Sequence, residues 1–190
     1  IIRNKFIDLE ENTMSNKAHV VCETTNLRAV HYAERIWDGI AVDEDIDNGT
    51  IGYLDGQHED GGFIYNFVKG VKEGVSPVLV HMPEWTEDTS NRLNQRKDKF
   101  FNKAGVPFRC FTLHKGDEFS LSKEAFNGEP EVGKFVVVNA DGKLDVKDTA
   151  PDDAGMVGKI MRKRQIGSTL VTNIRTYGYQ RMMYTVKVGS

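Results

Sequence analysis

Cysteine is scarce in this chain, and the two that are present, Cys22 and Cys110, lie far apart. Two distant cysteines do not suffice for a disulfide framework or for the clustered thiolates of a structural zinc site. Because free cysteine behaves as a small apolar residue and is readily buried, we predict two buried free thiols, with a bridge or a catalytic nucleophile as the alternatives. This cysteine usage favours synthesis in a cytoplasm.

Long apolar runs and a strong net charge are also missing. No stretch approaches the ~18–20 apolar residues that a membrane-spanning helix needs, and the net charge is −3 at pH 7. We therefore expect neither nucleic acid nor a membrane among the partners, because a weakly negative chain has no electrostatic reason to bind either widely. The 190 residues are enough for one elaborated domain or two small ones.

Motifs of catalysis and of cofactor binding are lacking as well, since the chain has no GxSxG elbow, Walker loop or GxGxxG. Asp43, Asp45 and Asp47 alternate as the first ligands of a calcium loop do. However, Gly49 falls one place late, and Leu54 stands where a bidentate glutamate is required. We predict no catalytic, cofactor-binding or metal-binding residues, and no cofactor.

Turn residues and apolar runs divide the chain into four parts, of which residues 1–13 are the first. The prediction is an N-terminal strand-and-turn region at 14–60, a mixed α/β insertion at 61–105 and an antiparallel β domain at 106–190. Residues 14–17, "MSNK", look like an ordinary protein start. We therefore expect residues 1–13 to be either a translated leader or a short N-terminal arm.

The insertion contains the best helix candidate, which Thr86 or Asp88 can cap and which Gly105 can end. Apolar residues recur within it at helical spacing: Leu93, Phe100, Phe101 and Ala104. The pattern predicts one amphipathic helix.

From residue 106 onward, β-branched and aromatic runs alternate with clusters of Gly, Asp, Pro and Asn at the spacing of a small barrel or sandwich. The predicted strands lie in "VPFRCFTL", "DEFSLS", "GKFVVVN", "KLDV", "MVGKIMRKRQ" and "QRMMYTVKV". The predicted fold class is therefore α+β and rich in β structure: a small C-terminal antiparallel barrel or sandwich, preceded by the helix-bearing insertion and an N-terminal strand or arm region.

One hairpin stands out in this domain, because Asp141-Gly142 tolerates the positive φ of a tight turn between two β-branched runs. Its first strand is apolar on both faces, with side chains that alternate between them: Phe135, Val136, Val137 and Val138. Either both faces are internal, with the insertion packed over the side opposite the barrel core, or one face lies in a contact with another subunit or protein.

The only basic cluster is "KIMRKRQ", which contains Lys159, Arg162, Lys163 and Arg164. On a strand, basic side chains commonly block edge-to-edge pairing. Contact with an acidic partner surface is the second interpretation. Nucleic acid is a third, and no aromatic platform accompanies the cluster to support it.

The order of these pieces resembles that of accessory head proteins of tailed phages of Gram-positive bacteria, the capsid decoration or head-fibre-base type. The resemblance runs from about Ile46 to the end of the sequence and is densest from Phe101 to Val146. It is carried by turn-and-strand patterns in this succession: "DIDNGTIGYLDG", "SPVLVHMPEW", "FFNKAGVPFRCFTLHKGDEFSLSKEAFNG", "EVGKFVVVNADGKLDV", "GKI" and "MMYTVKV".

The resemblance implies a non-enzymatic virion protein that sits on the outer surface of a capsid and contacts the major capsid protein. Such a protein would be synthesised in the bacterial host cytoplasm and would self-associate as a homo-oligomer, for example a trimer. A tail-tube or head–tail joining protein is the alternative within the virion. A small hydrolase or carbohydrate-binding module is the alternative of another class, although Trp37 and Trp85 are the only tryptophans.

Two segments are predicted to contact the capsid, one as a free arm and one as a charged edge. Their residues are Met14, Ser15, Asn16, Lys17 and Ala18, and Lys159, Arg162, Lys163 and Arg164. The apolar strand Phe135–Val138 is the predicted subunit-contact face.

Overall fold

The computed structural model describes residues 18–59, 61–84, 97–151, 155–167, 169–171, 176–178 and 180–189. These residues form strands and short 3₁₀ helices and contain no α-helix. The strands are β1 (Cys22–Glu23), β2 (Ile36–Ile40), β3 (Ile51–Gln57), β4 (Ile64–Lys69), β5 (Val78–Val80), β6 (Phe108–Thr112), β7 (Glu118–Ser122), β8 (Phe126–Asn127), β9 (Phe135–Val138), β10 (Leu144–Lys147), β11 (Val157–Ile166), β12 (Thr169–Val171), β13 (Thr176–Gly178) and β14 (Arg181–Val188). The 3₁₀ helices are Arg28–His31, Ala33–Arg35 and Lys123–Ala125.

Five strands close into a barrel in the order β2-β4-β3-β5-β6. The β2–β4 pair is parallel, and the other pairs are antiparallel. Apolar side chains fill the barrel because they alternate inward along each strand. Its buried cluster consists of Ala41, Ile46, Phe67, Val78, Val80, Phe108 and Cys110.

Seven strands form a second sheet in the order β1-β7-β14-β11-β9-β10-β8. Only the pair of β10 with β8 is parallel within it. The larger core cluster joins this sheet to the barrel, because it contains Ile51, Leu79 and Phe111 from barrel strands together with Val136 and Ile160 from the sheet. The barrel and the sheet therefore share one continuous apolar core.

The prediction of a β-rich fold with a barrel or sandwich is confirmed, but the closed barrel lies at residues 36–112 rather than within 106–190. The six runs predicted as strands from residue 106 onward do form strands. All but the first of them contribute to the seven-stranded sheet, whereas β6 closes the barrel. Alternating apolar residues identify strands but not their partners, and the partners decide which strands close.

The predicted helix falls mostly on residues 85–96, which lie outside the described residues. The end that is described contains turns at 97–99 and at 104–105, with a β-bridge between Asn102 and Ile46. The interpretation in which this insertion packs as a helix over strand β9 is therefore not supported by residues 97–105.

The hairpin predicted at Asp141-Gly142 is confirmed as the antiparallel pair β9–β10. Its turn is longer than the expected two-residue type, since the Asn139 N–H donates to the Lys143 carbonyl at 2.9 Å. Within the turn, the Gly142 N–H donates to the Asn139 carbonyl at 3.1 Å, and Gly142 has φ +72°. A turn followed by a left-handed glycine is the usual three-residue hairpin connection.

The tip of this hairpin docks on the barrel. The Ile51 N–H at the start of β3 donates to the Gly142 carbonyl at 2.9 Å. A Cβ atom on Gly142 would lie 2.5 Å from the Ile51 carbonyl oxygen and 2.7 Å from Thr50 Cγ2. Glycine is therefore required here both by the backbone conformation and by the close approach of a second chain segment.

A buried ion pair makes a second junction between the barrel and the sheet. Arg35, just before β2, pairs with Asp117, just before β7, and Asp117 is 1% exposed. Arg35 also donates to the Thr112 carbonyl at 2.7 Å, while the Asp117 carboxylate accepts the His114 N–H at 2.8 Å. Such hydrogen bonds are what offset the cost of removing two charges from water.

Both cysteines are free and buried, as the sequence predicted. Burial raises the pKa of each thiol far above its ordinary value. Cys22 packs in the shared core and Cys110 in the barrel. No helix within the described ranges is long and apolar enough to cross a membrane.

Candidate functional site

The C-terminal strands build a long hairpin, which we call the basic hairpin and define as residues 157–188. β11 and β14 pair from Gly158 with Val188 to Ile166 with Arg181. β12 and β13 then pair with each other as a two-stranded ribbon and with no other described strand. Beyond the last β11–β14 pair, Ile166 with Arg181, the described strands of this hairpin therefore pair only with each other and lie outside the seven-stranded sheet.

One edge of the basic hairpin is open along much of β11. β9 pairs with β11 only at Val157–Lys159. Two backbone hydrogen bonds follow at Ile160, whose N–H donates to the Lys134 carbonyl at 2.9 Å and whose carbonyl accepts the Gly133 N–H at 2.8 Å. Beyond Ile160, no described strand borders this edge of β11. Backbone N–H and C=O groups on such an edge are available for pairing with another chain.

The charge of the basic hairpin differs sharply from that of the rest of the chain. Residues 157–188 contain seven lysines and arginines and no aspartate or glutamate. The remaining residues, which we call the body, carry 18 basic and 28 acidic side chains, a net charge of −10. A separation of charge on this scale favours contact between the hairpin and an acidic surface.

The basic residues predicted as a capsid contact are placed differently from one another. Arg162 and Lys163 are exposed, and the Lys163 ammonium lies 5.5 Å from the centre of the Tyr184 ring. Lys159 is half-buried and lies 5.2 Å from the centre of the Phe135 ring. The ammonium groups of Lys159 and Lys163 therefore lie over aromatic rings, where cation–π attraction stabilises them.

Two arginines of the hairpin attach its base to the body. Arg164 pairs with Glu23 of β1. Arg181 pairs with Asp98 and with Glu124, each at 3.2 Å. Arg164 therefore makes a contact within the chain, and its contact with the capsid stays a prediction.

The predicted N-terminal contact arm is described only at its end. Met14, Ser15, Asn16 and Lys17 lie outside the described residues, and Ala18 is half-buried. Ala18 precedes Val20, which is buried in the shared core. The chain is thus anchored immediately after the predicted arm.

The two faces of strand β9 have different environments. Val136 is fully buried in the shared core, and Val138 packs against the same core. Phe135 and Val137 lie on the opposite face and are half-buried. If one face of the strand contacts another subunit, it is the face of Phe135 and Val137.

We expect Val136→Ser to lower the free energy of unfolding by about 2–4 kcal/mol, because it removes buried apolar volume and buries a hydroxyl. Val137→Ser, on the half-buried face of the same strand, is the matched control and should cost clearly less. Urea unfolding of both variants, followed by fluorescence, measures the difference. Equal losses of stability would contradict this assignment of the two faces.

A cleft of about 240 Å³ lies where the barrel meets the β9–β10 hairpin. Its charged and polar lining residues include His19, Asp45, Asp47, Lys69 and Lys143. These groups come from segments that are distant in the sequence, and for that reason no local motif could reveal the cleft.

Two of the acidic residues that resemble a calcium loop, Asp45 and Asp47, instead fix the backbone around this cleft. Asp47 accepts hydrogen bonds from His19 Nδ1 at 2.6 Å and from the Val20 N–H at 3.3 Å. Asp45 accepts the Ala104 N–H at 2.9 Å. In the part of the chain that the structure describes, no group of three or more His, Cys, Asp or Glu side chains could hold a metal ion.

A second exposed surface, which we call the acidic patch, consists of residues 42–45 and Val106. The Gly105 N–H donates to the Ala41 carbonyl at 2.8 Å, and this bond holds the two loops side by side. Val42 is 55% exposed and Val106 is 51% exposed. Asp43 and Glu44 are exposed beside Val42, so the patch combines apolar and negative side chains. The Glu44 carboxylate also pairs with the Lys69 ammonium of the same chain at 2.5 Å.

Comparisons with models of known families, with curated proteins and with solved structures found no match to this chain. The candidate site therefore rests on geometry and charge alone. Of the surfaces described, the basic hairpin combines the most features of a protein contact: an open strand edge, exposed basic side chains and an extension beyond the sheet.

Proposed function

We propose that this chain is a non-enzymatic structural protein of a phage virion. It binds the outside of the major capsid protein lattice as a decoration protein, which either stabilises the head or anchors an appendage. It does so as a homo-oligomer, on the virion surface, without a cofactor, nucleic acid or membrane as partner. Its synthesis takes place in the cytoplasm of the bacterial host.

The observation that carries this proposal is the basic hairpin. An open strand edge offers backbone hydrogen bonds to a neighbouring chain, and the exposed Arg162 and Lys163 favour an acidic surface. The resemblance of the strand-and-turn succession to capsid decoration proteins supports the same assignment. Many copies on a symmetric lattice would convert such small contacts into substantial stabilisation of the shell.

Cosedimentation with phage heads prepared without this protein tests the proposal. We expect saturable binding of the wild-type chain, with a copy number that matches the lattice. A protein of similar size and net charge serves as the control for trapping. Absence of binding at concentrations well above the site concentration would contradict the decoration role.

The same hairpin also fits a tail-tube or head–tail joining protein, because a strand that extends from one subunit can pair with the next subunit of a ring. This alternative predicts tubes in electron micrographs of the purified chain, or only a few copies bound per head. The copy number in the cosedimentation assay therefore separates the two roles.

A further inference from the structure

The exposed part of the basic hairpin combines apolar and basic side chains on an open edge. A register shift between Ile160 and Arg162 inserts Met161 as an extra residue in β11. Met161 is 46% exposed, and Arg162 and Lys163 follow it on the surface. A bulge re-aims side chains locally, and this one lies where the pairing with β9 has ended.

Pairing of this edge with the same edge of a second copy is disfavoured by charge. Antiparallel pairing of β11 with β11 would bring Arg162, Lys163 and Arg164 against the same residues of the other chain. Like charges directly opposite each other destabilise a strand pair. Charge therefore favours an acidic partner surface over this symmetric contact.

The body of the chain itself provides that acidic surface. All 28 aspartates and glutamates lie outside the hairpin. The acidic patch presents Asp43 beside the exposed Val42 and Val106. Glu44 is exposed there as well, and its side chain pairs with Lys69. The patch's mixture of apolar and negative side chains complements the exposed Met161 and the basic residues that follow it in β11.

We propose that the basic hairpin of one copy binds the acidic patch of a second copy. The contact is head-to-tail, because each copy gives its hairpin to one neighbour and receives the hairpin of another. Head-to-tail contacts close into rings when the rotation between copies permits. This inference rests on the self-association within the proposed function, and it names the two surfaces that produce it.

Analytical ultracentrifugation of the full chain tests the contact, with two charge-reversed variants. Arg162→Glu with Lys163→Glu changes the hairpin, and Asp43→Lys with Glu44→Lys changes the acidic patch. Each variant should raise the dissociation constant of the oligomer by at least about 100-fold, because like charges then face each other. Salt at about 1 M should also dissociate the wild-type oligomer, since screening shortens the range of the attraction to about 3 Å.

Mixing the two variants provides the decisive measurement. Each surface in the mixture meets a surface of opposite charge, so the mixture should associate although neither variant does so alone. Lys72→Glu with Lys147→Glu, on exposed lysines outside both surfaces, reverses the same number of charges and should leave the oligomer intact. Circular dichroism checks that every variant is folded.

A wild-type chain that stays monomeric at all concentrations would overturn the inference, as would an oligomer that both variants and high salt leave unchanged. Failure of the mixture to associate would also overturn it. The ultracentrifugation samples contain no phage heads. If the contact between copies proved absent, the cosedimentation assay would therefore still test binding to heads independently. Conversely, failure to bind heads would leave the oligomer and its two surfaces in place.

Discussion

Replacing Asp117 by alanine is expected to lower the free energy of unfolding by about 3–5 kcal/mol, because it leaves the buried Arg35 charge without its partner. Both side chains are almost fully shielded from water. The Asp117 carboxylate also accepts the His114 N–H, so its removal breaks a hydrogen bond in the turn before β7. The loss affects the junction between the barrel and the sheet rather than the surface.

Chemical unfolding followed by fluorescence measures this loss of stability. Two further variants, one at an exposed ion pair and one without both buried charges, serve as comparisons. Lys123→Ala breaks the exposed pair with Glu129 and should leave the midpoint of unfolding nearly unchanged. Arg35→Met with Asp117→Asn removes both charges and keeps an acceptor for the His114 N–H. This double variant should be more stable than Asp117→Ala, and the opposite order would contradict the view that an unpaired buried charge causes the loss.

Gly142→Ala is expected to lower the free energy of unfolding by about 2–5 kcal/mol, because it combines backbone strain with a steric clash. The backbone at Gly142 has φ +72°, a conformation that L residues rarely adopt. The added Cβ would also lie 2.5 Å from the Ile51 carbonyl oxygen, so the hairpin tip would have to move away from the barrel.

Gly74→Ala is the matched control for this substitution. Gly74 has φ +74°, and a Cβ atom added there would meet nothing within 4 Å. It therefore carries the backbone cost of about 1–2 kcal/mol without the clash. Thermal and chemical unfolding of both variants isolate the contribution of the contact. Equal destabilisation by the two substitutions would show that the hairpin tip does not depend on its close approach to Ile51.

Local signals in the sequence were sufficient for six strands after residue 106, but they missed β8, β12 and β13 and indicated few of the strand partners. The Asp141-Gly142 pair and the β-branched runs around it predicted the β9–β10 hairpin, because turn chemistry acts over a few residues. The docking of Gly142 on Ile51 joins residues far apart in the chain, and no pattern in either segment indicates it. The parallel pairs β2–β4 and β8–β10 could not be predicted either, because no local pattern indicates which distant strand is the partner.

The position of the barrel shows the same limit. Regular strand spacing after residue 106 predicted a C-terminal barrel or sandwich, whereas the closed barrel lies at residues 36–112 and requires β2 to pair with both β4 and β6. The sequence of β2, "IWDGI", contains charge and glycine and does not look like a barrel strand. Gly39 is explained by packing, since a Cβ there would lie 2.9 Å from Cys110 Sγ.

The candidate site was predictable only where its residues are contiguous. The basic cluster of β11 is visible in the sequence, and its assignment to a strand is confirmed. Within this cluster, Arg164 pairs with Glu23, whereas Arg162 and Lys163 are exposed. This difference depends on the bulge in β11 and on Glu23, which is remote in the sequence. The acidic patch could not be found, because Val42 and Val106 are brought together only by folding.

The strand order of the seven-stranded sheet also has a consequence for synthesis. β14 lies between β7 and β11, so it alone joins the β1–β7 pair to the strands from β11 to β8. It also follows all of them along the chain. A nascent chain on the ribosome can close the barrel once residue 112 has emerged, whereas the sheet stays in two unconnected pieces until β14 leaves the exit tunnel. The edges of β7 and β11 are therefore exposed together in every folding intermediate that precedes the insertion of β14 between them.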